Sequence, residues 1–100
     1  MFFITCFTKA EKNELGYPNI GESVTVGFVE QLHEAGHLLK NNTFDLWEGI
    51  YDYVVIEEIQ PGLYNFPEDR CFFQYDINNG RYYPIEEPEN VKQIAVFAFL

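Results

Sequence analysis

Five consecutive residues, His33-Glu34-Ala35-Gly36-His37, hold both histidines of this 100-residue chain. On a helix, side chains four residues apart lie on the same face, so the two imidazoles can reach one divalent ion. A carboxylate between them can take a proton from a water bound to that ion. The chemistry these residue types and this spacing fit is metal-assisted hydrolysis, with His33 and His37 as zinc ligands and Glu34 as general base.

The segment resembles the active-site helix of zinc metalloproteases of the zincin type, and Leu32 and Leu38-Leu39 beside it suit that resemblance. The resemblance implies zinc as cofactor and peptide hydrolysis as activity. Three features of the rest of the sequence oppose it. A catalytic zinc takes three protein ligands and keeps one open position. After Tyr51 the chain reads as strands, no third histidine exists, and only a loop carboxylate such as Asp45 or Glu48 is left to complete the set. A protease cleft needs two lobes, and a chain of this length builds about one core. The histidines also fall on the side of the helix shared with Glu30 and Lys40, away from its apolar stripe. The expectation is a surface helix without a metal, in a protein that is not an enzyme, with no catalytic, cofactor or metal residues assigned.

The helix is read from a change of period at Val29. Val29, Leu32, Gly36 and Leu39 recur at helical spacing with Ala35 beside them, which predicts a buried Leu32 and Leu39. Asn41-Asn42 is the expected stop, through the left-handed conformation that Asn tolerates. Before the helix, aromatic and β-branched residues predict strands over 2–8 and 23–28, separated by a long loop over 9–22 that holds Gly16, Pro18 and Gly21. After it come a connector with Trp47, a strand over 51–59 ended by Pro61-Gly62, and strands over 70–76 and 81–85. Asn79-Gly80 joins the last two as a hairpin, because both residues accept positive φ. The apolar run 94–100 predicts a final strand, central or covered. The whole is expected to be a single α+β domain over residues 1–100, in which one amphipathic helix packs on a mostly antiparallel sheet of about five strands in two layers.

Charge narrows the partners. Sixteen acidic residues against six basic give a net charge of -10. Such a surface repels phosphate backbones and anionic lipid, so neither nucleic acid nor membrane is an expected partner. Solubility accounts for the charge most simply. A basic protein partner is the alternative, including the case of an acidic inhibitor that mimics nucleic acid. Cys6 and Cys71 both lie in apolar runs and read as small buried hydrophobes, not as a disulfide framework. The opening residues lack a basic region and a cleavage site, and no run is long enough to span a bilayer. A cytoplasmic location is expected on those grounds.

Other chemistry-bearing features are weaker. Glu57-Glu58, Glu68-Asp69 and Glu86-Glu87 are acidic pairs, but adjacent residues of a strand point to opposite faces and cannot form a dyad. One exposed and one hydrogen-bonded carboxylate is the expected outcome. The tyrosines read as edges of a small core. Gly27-Phe28, Asn42, Asp45, Glu48, Tyr51-Asp52-Tyr53, Glu57-Glu58, Gly62-Leu63-Tyr64, Phe72-Phe73 and Glu87-Pro88, followed by the apolar C-terminus, form a further pattern. It is similar to that of short uncharacterised proteins of gut Gram-positive bacteria and their mobile elements. That family carries no assigned activity and its helix lacks the His-Glu-x-x-His motif, so the resemblance implies no site residue. The sequence points to a small acidic binding or interaction protein, with a zinc hydrolase built on His33, Glu34 and His37 as the alternative.

Overall fold

Aromatic and β-branched residues dominate five segments that pair into one antiparallel sheet. The computed structural model describes residues 1–41, 51–60, 70–94 and 96–98. In chain order the elements are β1 (Phe2–Phe7), β2 (Glu11–Lys12), β3 (Pro18–Asn19), β4 (Ser23–Val29), α1 (Leu32–Lys40), β5 (Tyr53–Glu58), β6 (Arg70–Asp76), β7 (Arg81–Ile85) and a 3-10 turn at Glu89–Val91. The main sheet runs β4-β1-β5-β6-β7, and every pairing within it is antiparallel. This is the expected α+β architecture of one helix on a five-stranded sheet.

The central strands explain why the sequence reads as near-continuous apolar runs. Ile4 to Phe7 of β1 and Val54 to Glu57 of β5 are each buried at four successive positions. A strand is buried on both sides only when both faces of its sheet are covered. On one face α1 presses Ala35 and Leu39 onto Ile4, Cys6, Val54, Ile56, Phe73 and Tyr82. On the other, Val91 and Phe97 from the C-terminal stretch close over Phe7, Val55 and Phe72. The Phe7 ring stacks on Phe97 at 5.0 Å and on Tyr53 at 5.3 Å, while Phe72 meets Phe97 edge-on at 5.8 Å. These are the geometries that aromatic quadrupoles favour.

Several expectations need correction. Residues 94 and 96–98 form no strand, although Val96 and Phe97 are buried. The apolar run serves to cover a face, and its backbone donors find a side chain instead of a ladder, as described below. Val29 closes β4 and not the helix, which begins at Leu32. Leu32 is 43% exposed, against the prediction that it is buried. It lies on nearly the same side as Leu39, but it is the first residue of the helix. Helical side chains lean towards the N-terminus, so that of a first-turn residue reaches past the sheet it would otherwise cover. Asn41 ends the helix in a right-handed conformation (φ -95°, ψ 0°), not the left-handed one. Its side-chain amide and its backbone N–H both donate to the His37 carbonyl, at 3.0 and 3.2 Å. The loop 9–22 contains the short β2–β3 hairpin, too brief to show a period in the sequence.

The β6–β7 turn is where expected, with Gly80 at φ +67°. It spans four residues between the paired Asp76 and Arg81. The Asp76 carbonyl accepts the N–H groups of Asn79 and Gly80, and its carboxylate holds Asn78 N–H at 3.0 Å and the Asn79 amide at 2.5 Å. The Asn79 hydrogen bond holds the Asp76 pKa below the ordinary carboxylate value. The connector with Trp47, Pro61-Gly62, and the pair Glu68-Asp69 lie outside the described residues.

Candidate functional site

The helix displays its three motif residues to solvent. Only Ala35 and Leu39 of α1 are buried, and they lie four apart on the sheet side. His33, Glu34 and His37 are all exposed, the two histidines on the opposite side and Glu34 on the flank. The two histidines therefore share a face, as i, i+4 spacing requires. His37 has a neighbour in Asn41, whose amide nitrogen lies 3.2 Å from Nε2 and 3.4 Å from Nδ1. An amide donor on a ring nitrogen competes with a metal for the same lone pair. Among the described residues no group of three or more His, Cys, Asp or Glu side chains converges to hold a metal ion. The proposed third ligands, Asp45 and Glu48, lie outside the described residues. The described part of the chain supplies two exposed imidazoles and one exposed carboxylate, with no second shell fixing a tautomer for ligation.

A second cluster is far more built. Glu57, paired with Arg70 across β5 and β6, is fully buried on the face covered by the C-terminal stretch. Its Oε1 and Oε2 both accept the Phe97 N–H, at 3.1 and 2.8 Å, and Oε1 also accepts the Ala98 N–H at 3.0 Å. Arg70, with 11% of its side chain exposed, stands with Nη1 4.0 Å from Glu57 Oε2. The same Nη1 donates to the Ile94 carbonyl at 2.6 Å, and Nη2 donates to Glu87 Oε1 at 2.5 Å. The guanidinium also lies over the rings of Phe72 and Phe97, at 5.6 and 5.5 Å from their centroids. Burial pushes the Glu57 pKa upward, and the Phe97 and Ala98 N–H groups and the Arg70 charge draw it part of the way back.

This arrangement does structural work. Both oxygens of this fully buried carboxylate accept from backbone N–H groups of the C-terminal stretch. Its role is to terminate backbone N–H groups that a sheet ladder would otherwise take. Thr25 completes the clasp: its hydroxyl lies 3.0 Å from that of Thr5 and donates to the Ala98 carbonyl at 3.2 Å. Asn90 ties the start of the stretch to the Ala10 carbonyl. The C-terminal stretch is thus a strap, held on the sheet by side chains of β1, β4, β5 and β6.

Sequence reasoning recognised Glu57-Glu58 only as a pair split between faces, and that split is what the fold shows. Glu57 is buried, while Glu58 on the helix face is partly exposed and accepts the Gln60 amide at 2.6 Å. The overlooked signal was a charged residue directly after Val54-Val55-Ile56 in a strand buried on both sides. Such a charge requires a buried partner, and Arg70 stands in register with it. Glu86-Glu87 are both exposed, and Glu87 is the outer partner of Arg70.

Two further titratable groups lie in the core under the helix. Burial pushes the Cys6 thiol up to about 12, so it stays protonated and inert. Tyr82 is buried with its hydroxyl donating to the Tyr51 carbonyl at 2.9 Å, and burial raises its pKa. Among the described residues no helix is long and apolar enough to cross a membrane. Comparison with protein-family models, with curated proteins and with solved structures finds no match for the chain.

Proposed function

We propose that this chain is a small, non-enzymatic binding module that presents an acidic surface to a basic protein partner. The observation that supports this most is the disposition of its few cations. Of six basic residues, Arg70 is held by Glu57 and Glu87, Lys92 pairs with Glu89 at 2.7 Å, and Lys9 lies 3.7 Å from Glu11. Half of the positive charge is thus spent within the molecule, while Glu14, Glu22, Glu30, Glu34 and Glu86 remain exposed. Large single-sign fields steer oppositely charged partners and repel phosphates and anionic lipid. The most polar buried cluster, Glu57 with Arg70, spends its hydrogen bonds on Phe97, Ala98, Ile94 and Glu87, which supports a structural role for it.

Cross-linking in cells, followed by reconstitution with the purified chain, tests this reading. A basic protein that rebinds with about micromolar Kd, weakening steeply as salt rises, is the expected result. One equivalent of tightly bound zinc would overturn it in favour of a metallopeptidase if that zinc were lost in His33→Ala and accompanied by peptide hydrolysis lost in Glu34→Gln. Duplex DNA or RNA binding at physiological salt would equally overturn it.

A further inference from the structure

Asn79 is the one asparagine of the sequence that precedes a glycine. An asparagine in that setting can modify itself. The backbone nitrogen of the next residue attacks the side-chain carbonyl carbon, and a glycine, having no Cβ, lets that nitrogen come closest. The turn that carries the pair stands in water: Ile77 is 82% exposed, and Asn78 and Asn79 are exposed beside it. Solvent base therefore reaches the turn, and so does the water that the reaction consumes.

Both reacting groups are nevertheless held by one residue. Gly80 N–H donates to the Asp76 carbonyl at 2.8 Å, and the Asn79 side-chain nitrogen donates to Asp76 Oδ2 at 2.5 Å. Oδ1 of the same carboxylate accepts the Asn78 N–H at 3.0 Å. The first bond shields the proton that Gly80 must lose before its nitrogen can attack. The second opposes the later steps at Asn79. A carboxylate that accepts from the amide leaves the carbonyl carbon richer in electrons. It also pins the side chain through a charge-assisted bond.

We propose that Asn79 is a modification site at which the chain deamidates itself, and that the latch formed by Asp76 sets the rate. When the latch opens, Gly80 N loses its proton to solvent base and bonds to Asn79 Cγ. The Cγ–Nδ2 bond then breaks and the nitrogen leaves as ammonia, giving a succinimide. Water opens that ring at one carbonyl or the other and leaves aspartate or isoaspartate. The net change is amide plus water to carboxylate plus ammonium. Neither product restores the latch. The new carboxylate donates nothing to Asp76 and repels it, and isoaspartate lengthens the backbone between the paired Asp76 and Arg81. The modified hairpin is looser and more acidic.

The test follows the full chain at mildly alkaline pH by peptide mapping and mass spectrometry, with isoaspartyl methylation to mark isoaspartate. The free peptide Asp-Ile-Asn-Asn-Gly-Arg gives the rate without the fold. Folded wild type is expected to convert first at Asn79, at least about tenfold more slowly than the peptide, because a charge-assisted hydrogen bond must break before the attack. Asp76→Asn keeps an oxygen for the Asn78 N–H but puts a donor where Oδ2 accepted the Asn79 amide. It should raise the rate at least about threefold with the circular dichroism spectrum unchanged. Tyr82→Phe cuts the bond to the Tyr51 carbonyl and loosens the same hairpin without touching the latch, so it should keep the wild-type rate. Folded wild type converting as fast as the peptide would overturn the proposal. So would Asp76→Asn converting no faster than wild type, Tyr82→Phe converting as fast as Asp76→Asn, or deamidation that starts at another asparagine.

Discussion

The two faces of the sheet are closed by opposite means. On the helix face, Ala35 and Leu39 meet Ile4, Val54, Ile56 and Phe73 in apolar contact, with the Tyr82 hydroxyl bonded to the Tyr51 carbonyl at its margin. A helix satisfies its own backbone, so its covering surface can be purely hydrophobic. On the other face the cover is an irregular strap: Ile94 N–H bonds the Val91 carbonyl within it, but Phe97 N–H, Ala98 N–H and the Ile94 and Ala98 carbonyls turn to side chains of the sheet. Phe97 and Val91 supply the apolar contact, but Glu57, Arg70 and Thr25 must supply the hydrogen bonds. The difference teaches that a buried charge in this domain is the cost of covering a sheet with chain that is neither helix nor strand.

Removing the carboxylate should expose that cost most plainly. Glu57→Ala strands the Phe97 and Ala98 N–H groups and leaves Arg70 facing its cavity with only Glu87 as a carboxylate. The expected loss is about 3–5 kcal/mol, as for buried pairs broken from one side. Urea unfolding measures it. A loss below about 1 kcal/mol would mean that the strap is held by Phe97 and Val91 alone.

On the helix face the expected response is that of a simple cavity. Leu39→Ala should cost about 2–4 kcal/mol, whereas Leu32→Ala, one helix end away, should stay within about 0.5 kcal/mol. The same urea experiment compares the two. Equal losses would show that Leu32 is packed as deeply as Leu39 and restore the helix phase that its spacing suggests.

These contrasts also mark what the sequence could convey. Strands β1, β5, β6 and β7 and the Asn79-Gly80 turn are legible because local propensity, apolar runs and turn chemistry agree. The placement of His33 and His37 on the solvent side is legible from phase. The apolar run 94–100 is misread because hydrophobicity reports burial but not the destination of backbone hydrogen bonds. The described part of that run sends two N–H groups to Glu57, a residue 40 positions away. A contact that distant has no local signature. The place of β4 beside β1 in the described sheet is similarly hidden, since strand order is set by pairing partners and not by composition.

The smallest expected effect concerns charge without change of shape. Glu57→Gln keeps an oxygen for the backbone donors and removes the titratable proton. In the folded protein burial raises the Glu57 pKa above its ordinary value of 4.5, so the native state binds that proton more tightly than the unfolded chain. The contribution of this group to stability is therefore fully present below pH 4.5 and is lost as pH rises through the higher folded value. Asp76 and Glu89 act in the opposite sense, because their pKa values are lowered by the Asn79 and Lys92 hydrogen bonds. Glu89 is exposed and Asp76 is half-exposed beside its turn, which keeps their contribution small. Across the window just above pH 4.5, the wild-type stability curve should fall relative to that of Glu57→Gln, with the two running parallel at neutral pH. Thermal unfolding at a series of pH values measures the difference. If the variant instead gained on the wild type as the pH was lowered through this window, the three N–H bonds and Arg70 would outweigh burial. The strap would then be fastened by a carboxylate that the fold keeps charged, and the two faces would differ even more than their contacts indicate.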